Sequence, residues 1–122
     1  MKSITLEQVK EMLIFVAQSI IENEPLLTKV DSAIGDGDHG TGMSLGMEKA
    51  AVQLKIAAAQ DVAGLFQTVG MTMLNCMGGA SGVIFATMFF GGASEAKGET
   101  ELTLPILYRV LNKAKEQIMK RG

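Results

Sequence analysis

The sequence has 122 residues, a length suited to one small domain with a core of its own. Apolar residues make up 48% of it, with nine Met and no Trp, a composition that points to helices packed through small and adaptable side chains. A formal net charge of -2 offers no electrostatic footprint for nucleic acid or an anionic membrane, and neither is expected as a partner.

From Thr5, the apolar residues Leu6, Val9, Leu13, Val16 and Ile20 recur three and four apart, and Thr5 with Gln8 forms a capping box, so a first helix is predicted to end near Asn23 and Pro25. A short helical turn is expected around Leu26 to Val30. The stretch DSAIGDGDHG, Asp31 to Gly40, then interrupts the periodicity until about Thr41 or Gly42 and reads as a loop. Met43, Met47, Ala50, Ala51 and Leu54 mark a second long helix. Asp61 is placed to cap a third, carrying Val62, Leu65, Phe66, Val69 and Met73. The single Cys76 cannot form an internal disulfide, which fits a reducing compartment, and its apolar context predicts a buried, inert thiol. A second glycine cluster, GGASG from Gly78 to Gly82, precedes the apolar run VIFATMFFGGA, read as a buried helix in its Ala-rich context. After a polar linker, Thr103 and Pro105 open a last amphipathic helix through Leu107, Leu111, Ala114 and Ile118. Lys120 and Arg121 complement its dipole, and Gly122 stands as its C-cap. The N-terminus lacks the pattern of a signal peptide and no apolar run reaches the ~18 residues of a membrane span, so a soluble, cytoplasmic protein is expected.

The fold expected from this order is all-α, an antiparallel up-and-down helix bundle. Short connections in such a bundle bring alternate loops to one end, so the acidic stretch and GGASG are expected to build a single site.

Asp31, Asp36 and Asp38 set the chemistry of that site. Two carboxylates about 5 Å apart repel by roughly 3 kcal/mol at an effective dielectric of about 20, so three on one short stretch call for compensation. The plain alternative is an ordinary polar loop of Asx turns and caps. Gly35, Gly37 and Gly40 satisfy G-x-G-x-x-G, with Asp61 near the place of a ribose-binding acid. No strand precedes them, however, and the interleaved carboxylates would repel a bare pyrophosphate. An EF-hand beginning at Asp36 fails at Gly40, Thr41 and Met47. Oxygen-only ligands suit a hard cation, and carboxylates holding Mg²⁺ that bridges to nucleotide phosphates use every unusual residue here.

The phosphates then fall to the second cluster. Gly78 and Gly79 let backbone approach a ligand, Ser81 offers a hydroxyl, and the N–H groups opening the next helix carry the positive end of its dipole. The alternative is a tight interhelical turn with Ser81 as N-cap. His39 directly follows the acidic residues and can donate to a phosphate oxygen, or serve as a structural histidine bonded to backbone.

IGDGDHGTGMSLG, Ile34 to Gly46, together with GMTMLNCMGGASG, Gly70 to Gly82, resembles the nucleotide-binding L subunit of dihydroxyacetone kinase, and the similarity runs over nearly all of Thr5 to Gly122. The resemblance implies a barrel of eight antiparallel helices whose loops at one end hold ADP or ATP through two Mg²⁺ ions. This sequence, residues 1–122, would supply the N-terminal part of one such domain. Asp31, Asp36 and Asp38 would be the Mg²⁺ ligands. His39, Gly40, Thr41 and Gly42 would line the phosphates, joined by Gly79, Ala80 and Ser81, with Gly122 a further glycine near the nucleotide. Apolar faces left open by an incomplete barrel would be covered by the rest of the domain, by a second chain, or by self-association into a homo-oligomer.

The resemblance implies the reaction too. In one branch of the family ADP stays bound as a cofactor. It takes a phosphoryl group from a phosphohistidine on a multiphosphoryl protein and passes it to dihydroxyacetone on a separate K subunit. Other members use ATP directly. Such transfer needs positioning and charge neutralisation rather than a protein nucleophile, so no catalytic side chain is expected in this chain. Two positions depart from the pattern: Gly42 replaces a usual Asn, and Val83 a common Pro. The rival reading is a catalytically weak regulatory or interaction module that keeps the nucleotide-binding fold.

Overall fold

The computed structural model describes residues 2–34 and 39–121. Strand β1 (Ser3–Thr5) leads into α1 (Leu6–Glu22), followed by α2 (Glu24–Ile34), α3 (His39–Ile56), α4 (Val62–Cys76) and α5 (Gly79–Phe90). A 3-10 turn at Ala93–Ala96, strand β2 (Glu101–Thr103) and α6 (Leu104–Arg121) follow. The all-α expectation holds, with one small addition. β1 and β2 pair antiparallel, Ile4 opposite Leu102, the first at the predicted start of the first helix and the second at the end of the polar linker. Three-residue strands are too short for their alternation to register.

The capping box on α1 forms as the sequence predicts: Gln8 N donates to Thr5 Oγ1 at 3.2 Å and Thr5 N to Gln8 Oε1 at 2.9 Å. α1 buries Val9, Leu13 and Ala17 and ends at Asn23. The next two boundaries differ from the sequence reading. α2 is no brief turn over Leu26 to Val30 but an eleven-residue helix that carries Asp31. Pro25 sits in its first turn, where the missing N–H has no intrahelical partner to lose. α3 begins at His39 rather than near Met43, so Gly40, Thr41 and Gly42 are helical.

Glycine costs a helix about 1 kcal/mol relative to Ala, and three glycines between His39 and Gly46 hide the start of α3 from any propensity argument. Tertiary contact sustains it instead. Gly40 is buried where α3 crosses α2, and a Cβ there would lie 2.7 Å from Thr28 N and 2.8 Å from the carbonyl oxygen of Glu24.

α4 packs between α3 and α5 and runs antiparallel to both, with Met77 at its end beside Gly46 near the start of α3 and Gly70 at its middle beside Phe90 at the end of α5. α1 lies against α3 with its start beside the end of α3, where Lys10 Nζ donates to the carbonyl of Ala57 at 3.3 Å. α3 and α5 therefore both begin at the end of the bundle opposite the β1–β2 pair, as the up-and-down reading requires. The core is continuous between these layers, with Val9, Met47, Leu54, Leu65, Met73 and Val110 all but inaccessible. Phe15, Leu104, Tyr108 and Met119 are each more than two-thirds exposed.

Asp61 caps α4 and also ties down the segment before β2. Its Oδ1 accepts from Gly64 N at 2.8 Å, its Oδ2 from Gly98 N at 2.7 Å, and Val62 N donates to the Glu99 carbonyl at 2.8 Å. The Gly98 and Gly64 N–H bonds hold the Asp61 carboxyl below the usual carboxylate range, against a smaller opposing effect of burial. A carboxyl depressed on folding stabilises the fold above its unfolded pKa and loses that contribution as pH falls through its folded value. Asp61→Ala is expected to cost about 0.5–2 kcal/mol at neutral pH. Urea unfolding of the two proteins checks this, and the difference between them should close on acidification below about pH 4.

Candidate functional site

The starts of α3 and α5 open onto one cavity of about 560 Å³, lined by Asp31, His39, Gly42 and the run from Cys76 to Ser81. Met77 holds the two helices at this spacing. It ends α4, its N–H bonded to the Met73 carbonyl at 2.8 Å, and its side chain reaches back to α3, where a Cβ on Gly46 would sit 3.3 Å from its Cγ. On the other side, α5 comes down onto Met77 at Gly82, where a Cβ would lie 2.8 Å from the Met77 carbonyl oxygen and 2.9 Å from its Cβ. Only a residue without a Cβ fits. Gly79, the first residue of α5, has φ of +73°, the left-handed region that glycine enters at no steric cost.

This packing brings together the two motifs that the sequence separates. Ser81 Oγ lies 3.0 Å from His39 Nδ1, and His39 N donates to Asp31 Oδ2 at 3.3 Å. The His39 ring also packs on Phe85, with centroids 5.3 Å apart and planes tilted by 38°. Two local contacts bear on the alternatives left open by the sequence. GGASG is not a loop capped by Ser81, because α5 starts at Gly79 with Gly78 as its N-cap and Ser81 bonds across to His39. The histidine ring is bonded to a side chain rather than to backbone.

Among the predicted residues, Asp31, His39, Gly42, Gly79, Ala80 and Ser81 line the cavity. Gly40 and Thr41 do not. Gly40 is consumed by the α2 crossing, and the Thr41 hydroxyl turns to Glu24 Oε1 at 3.5 Å, in a groove shared with the end of α1. Asp36, Asp38 and Gly122 lie outside the described residues. The neighbour of Gly122, Arg121, places its guanidinium 5.6 Å from the centre of the Phe90 ring, nine residues along α5 from Ser81, about 14 Å at 1.5 Å per residue. Cys76 is half-buried and lines the cavity rather than being sealed in the core. Met77, Cys76 and Phe85 escape a reading from sequence, since an apolar side chain beside a glycine cluster carries no chemical signature of a site.

The arrangement suits an anion beside a cation. The starts of α3 and α5, where the positive ends of two helix dipoles lie, open onto the same cavity. Asp31 adds a carboxylate on the same wall. Among the described residues no cluster of three or more His, Cys, Asp or Glu side chains forms a ready metal site. Asp31 supplies one hard oxygen donor, and Asp36 and Asp38 immediately precede His39 in the sequence. A donor set of this kind fits Mg²⁺ and does not fit a soft metal.

Fold and site together define a helical domain with a cavity between two glycine-rich helix starts. The family model described as the DAK2 domain matches residues 33–122, and the chain belongs to that family. It is 36% identical over 96 residues to the PEP-dependent dihydroxyacetone kinase, ADP-binding subunit DhaL of Escherichia coli, covering 79% of this chain and 46% of that protein. Similarity to the ADP-binding subunit DhaL of PEP-dependent dihydroxyacetone kinase 1 of Listeria innocua is 36% over 105 residues, 86% of this chain and 52% of the relative. For the PTS-dependent dihydroxyacetone kinase, ADP-binding subunit DhaL of Lactococcus lactis it is 34% over 119 residues, 98% and 59% respectively. The chain thus spans about half the length of the curated relatives it matches.

Gly82→Ala is expected to cost about 1–3 kcal/mol, because the new methyl group forces α5 off Met77. Gly42→Ala, whose Cβ would meet nothing nearer than Met77 Cε at 3.9 Å, is expected to be neutral or to gain up to about 1 kcal/mol from helix propensity. Thermal unfolding of the pair distinguishes a close-packed glycine from an open one.

Proposed function

We propose that this chain is a Mg²⁺-dependent ADP- or ATP-binding component of a dihydroxyacetone kinase. It relays a phosphoryl group, from a phosphohistidine carrier or from ATP, to a small ketose held by a partner K subunit. The observation that carries the reading is the meeting of His39 and Ser81 on the rim of one cavity that also holds Asp31 and the starts of α3 and α5. Membership of the DAK2 family and the similarity to ADP-binding subunits of dihydroxyacetone kinases support the nucleotide and the ketose.

On this reading the first turns of α3 and α5 hold phosphate oxygens through backbone N–H groups, and His39 adds a side-chain donor. Asp31, with Asp36 and Asp38, holds the metal. Bound Mg²⁺ supplies charge neutralisation across the phosphates, the main requirement of phosphoryl transfer. No side chain of this chain needs to become covalently modified. The ketose-binding groups belong to the partner. The absence of a membrane-length apolar helix among the described residues is consistent with such a component.

Gly42 favours a second reading, a regulatory module with weak transfer. The residue lines the cavity with open space above it, where the wider family carries an amide side chain. Titration calorimetry of the chain with ADP is expected to show binding that requires Mg²⁺ and weakens at least tenfold in Asp31→Asn, while Gly42→Asn tightens it about three- to tenfold by adding one hydrogen bond to a charged group. Metal-independent binding, or none in the parent chain, contradicts the proposal. Phosphoryl transfer assayed with a K subunit and both donors separates the kinase component from the regulatory module.

A further inference from the structure

We propose that the outer faces of α1 and α6 dock a second copy of this chain, paired about a two-fold axis so that α1 of each protomer lies antiparallel against α6 of the other. The proposal does not depend on the nucleotide-binding reading. α1 follows β1 directly and α6 follows β2, so both helices leave the β1–β2 pair. They stand side by side there, with Met12 of α1 and Leu104 and Leu107 of α6 lining one open cavity of about 230 Å³. Neither helix lines the cavity at the starts of α3 and α5, so pairing leaves that cavity open.

On α6 the exposed residues Leu104, Tyr108, Leu111, Lys115 and Met119 recur three and four apart and form one stripe. Leu104 is 78% exposed, Met119 72% and Tyr108 69%, while Ile106, Val110 and Ala114 bury the opposite face in the bundle. α6 is thus apolar on two sides, and the outer one stands open. On α1 the exposed stripe is Glu7, Glu11, Phe15, Gln18 and Glu22, with Phe15 its single apolar residue. One helix offers an acidic face with an aromatic ring at its centre, the other an apolar face with a lysine set into it.

The two stripes match when read in opposite directions: steps of four, four, three and four residues run from Glu7 to Glu22 and from Met119 back to Leu104. An antiparallel approach therefore sets Phe15 on Leu111, Glu11 on Lys115 and Gln18 on Tyr108. It brings Glu7 toward Lys120 and Arg121, the basic last turn of α6. A parallel approach would instead leave Glu7 and Glu11 over Leu104 and Tyr108. The apolar residues supply the affinity, and the exposed charges, each worth little, fix direction and register. A face that carries an acidic and a basic helix side by side is complementary to itself under a two-fold rotation, the condition for a closed dimer. A net charge of -2 opposes this only weakly. An anionic lipid surface offers no such match, because the carboxylates of α1 would meet its headgroups.

Sedimentation velocity of the full chain tests the pairing. At about 50 µM in low salt a dimer is expected, weakening as salt rises. Phe15→Ser and Leu111→Ser, both at exposed positions, should each weaken it about tenfold. Glu11→Lys and Lys115→Glu should each weaken it about tenfold by opposing like charges. An equimolar mixture of these last two variants should recover the parental dimer, because each finds the opposite sign on the other chain at both contacts. A parent chain that stays monomeric overturns the proposal. So do species that keep growing with concentration, the mark of a head-to-tail contact, and a mixture no tighter than its components. Co-sedimentation with phosphatidylserine vesicles in the absence of any dimer assigns the face to lipid and likewise overturns it.

Discussion

Met77 is the contact on which the site depends. Its backbone receives the first turn of α5 at the closest approach that Gly82 allows, and its side chain fills the space against Gly46 of α3. One residue thereby sets the distance between two helix starts that belong to different parts of the chain. The bond between Ser81 and His39 follows from that spacing. Because Met77 is also the C-terminal cap of α4, the helix between α3 and α5, the core behind the site determines its geometry. Methionine suits this place, being unbranched and able to conform to an irregular gap between glycines.

The same packing underlies the polyphosphate chemistry proposed for the cavity. Two helix N-termini add their attraction for an anion when they converge, and convergence in an up-and-down bundle requires that alternate connections end at one level. Here the short turn at Met77 and the crossing of α2 over Gly40 accomplish this. The positive ends of two dipoles and the carboxylate of Asp31 then face a common space. On the proposed reading that mixture is a requirement, since a nucleotide held by backbone donors and a hard cation needs both signs of charge. Phosphoryl transfer asks the protein mainly to hold groups in line and to neutralise charge, and a rigid rim meets that demand better than a reactive side chain would.

Much of this was legible in the residues. The capping box of α1, the Asp61 cap of α4 and the apolar stripes of α1, α4 and α6 follow a helical period, and α5 declares itself by its strongly apolar run. The joining of the two glycine motifs follows from counting helices. Other features could not be read locally. Asp31 and Ser32 resemble a loop yet belong to α2, because Leu27 packs on the core and the helix is held against α3. The start of α3 is disguised by glycines whose function is close approach, a property of the partner helix and not of the glycine. Gly40 and Thr41 lie in the motif but not on the cavity wall, because the crossing helix packs on the first and Glu24 meets the hydroxyl of the second. Phe85 had no signal beyond its place one turn after Ser81.

The central claim is that a divalent cation and a nucleotide join the acidic segment and the GGASG turn in a single site. Manganese, a hard divalent ion that accepts the same oxygen donors, makes this visible as paramagnetic broadening of backbone amide signals. With Mn²⁺-ADP at substoichiometric levels, the account predicts that broadening centres at once on Asp31, His39 and the amides of Gly78 to Ser81, and spares the β1–β2 end of the bundle. Broadening confined to one of the two motifs, or centred on acidic residues elsewhere on the surface, would contradict it.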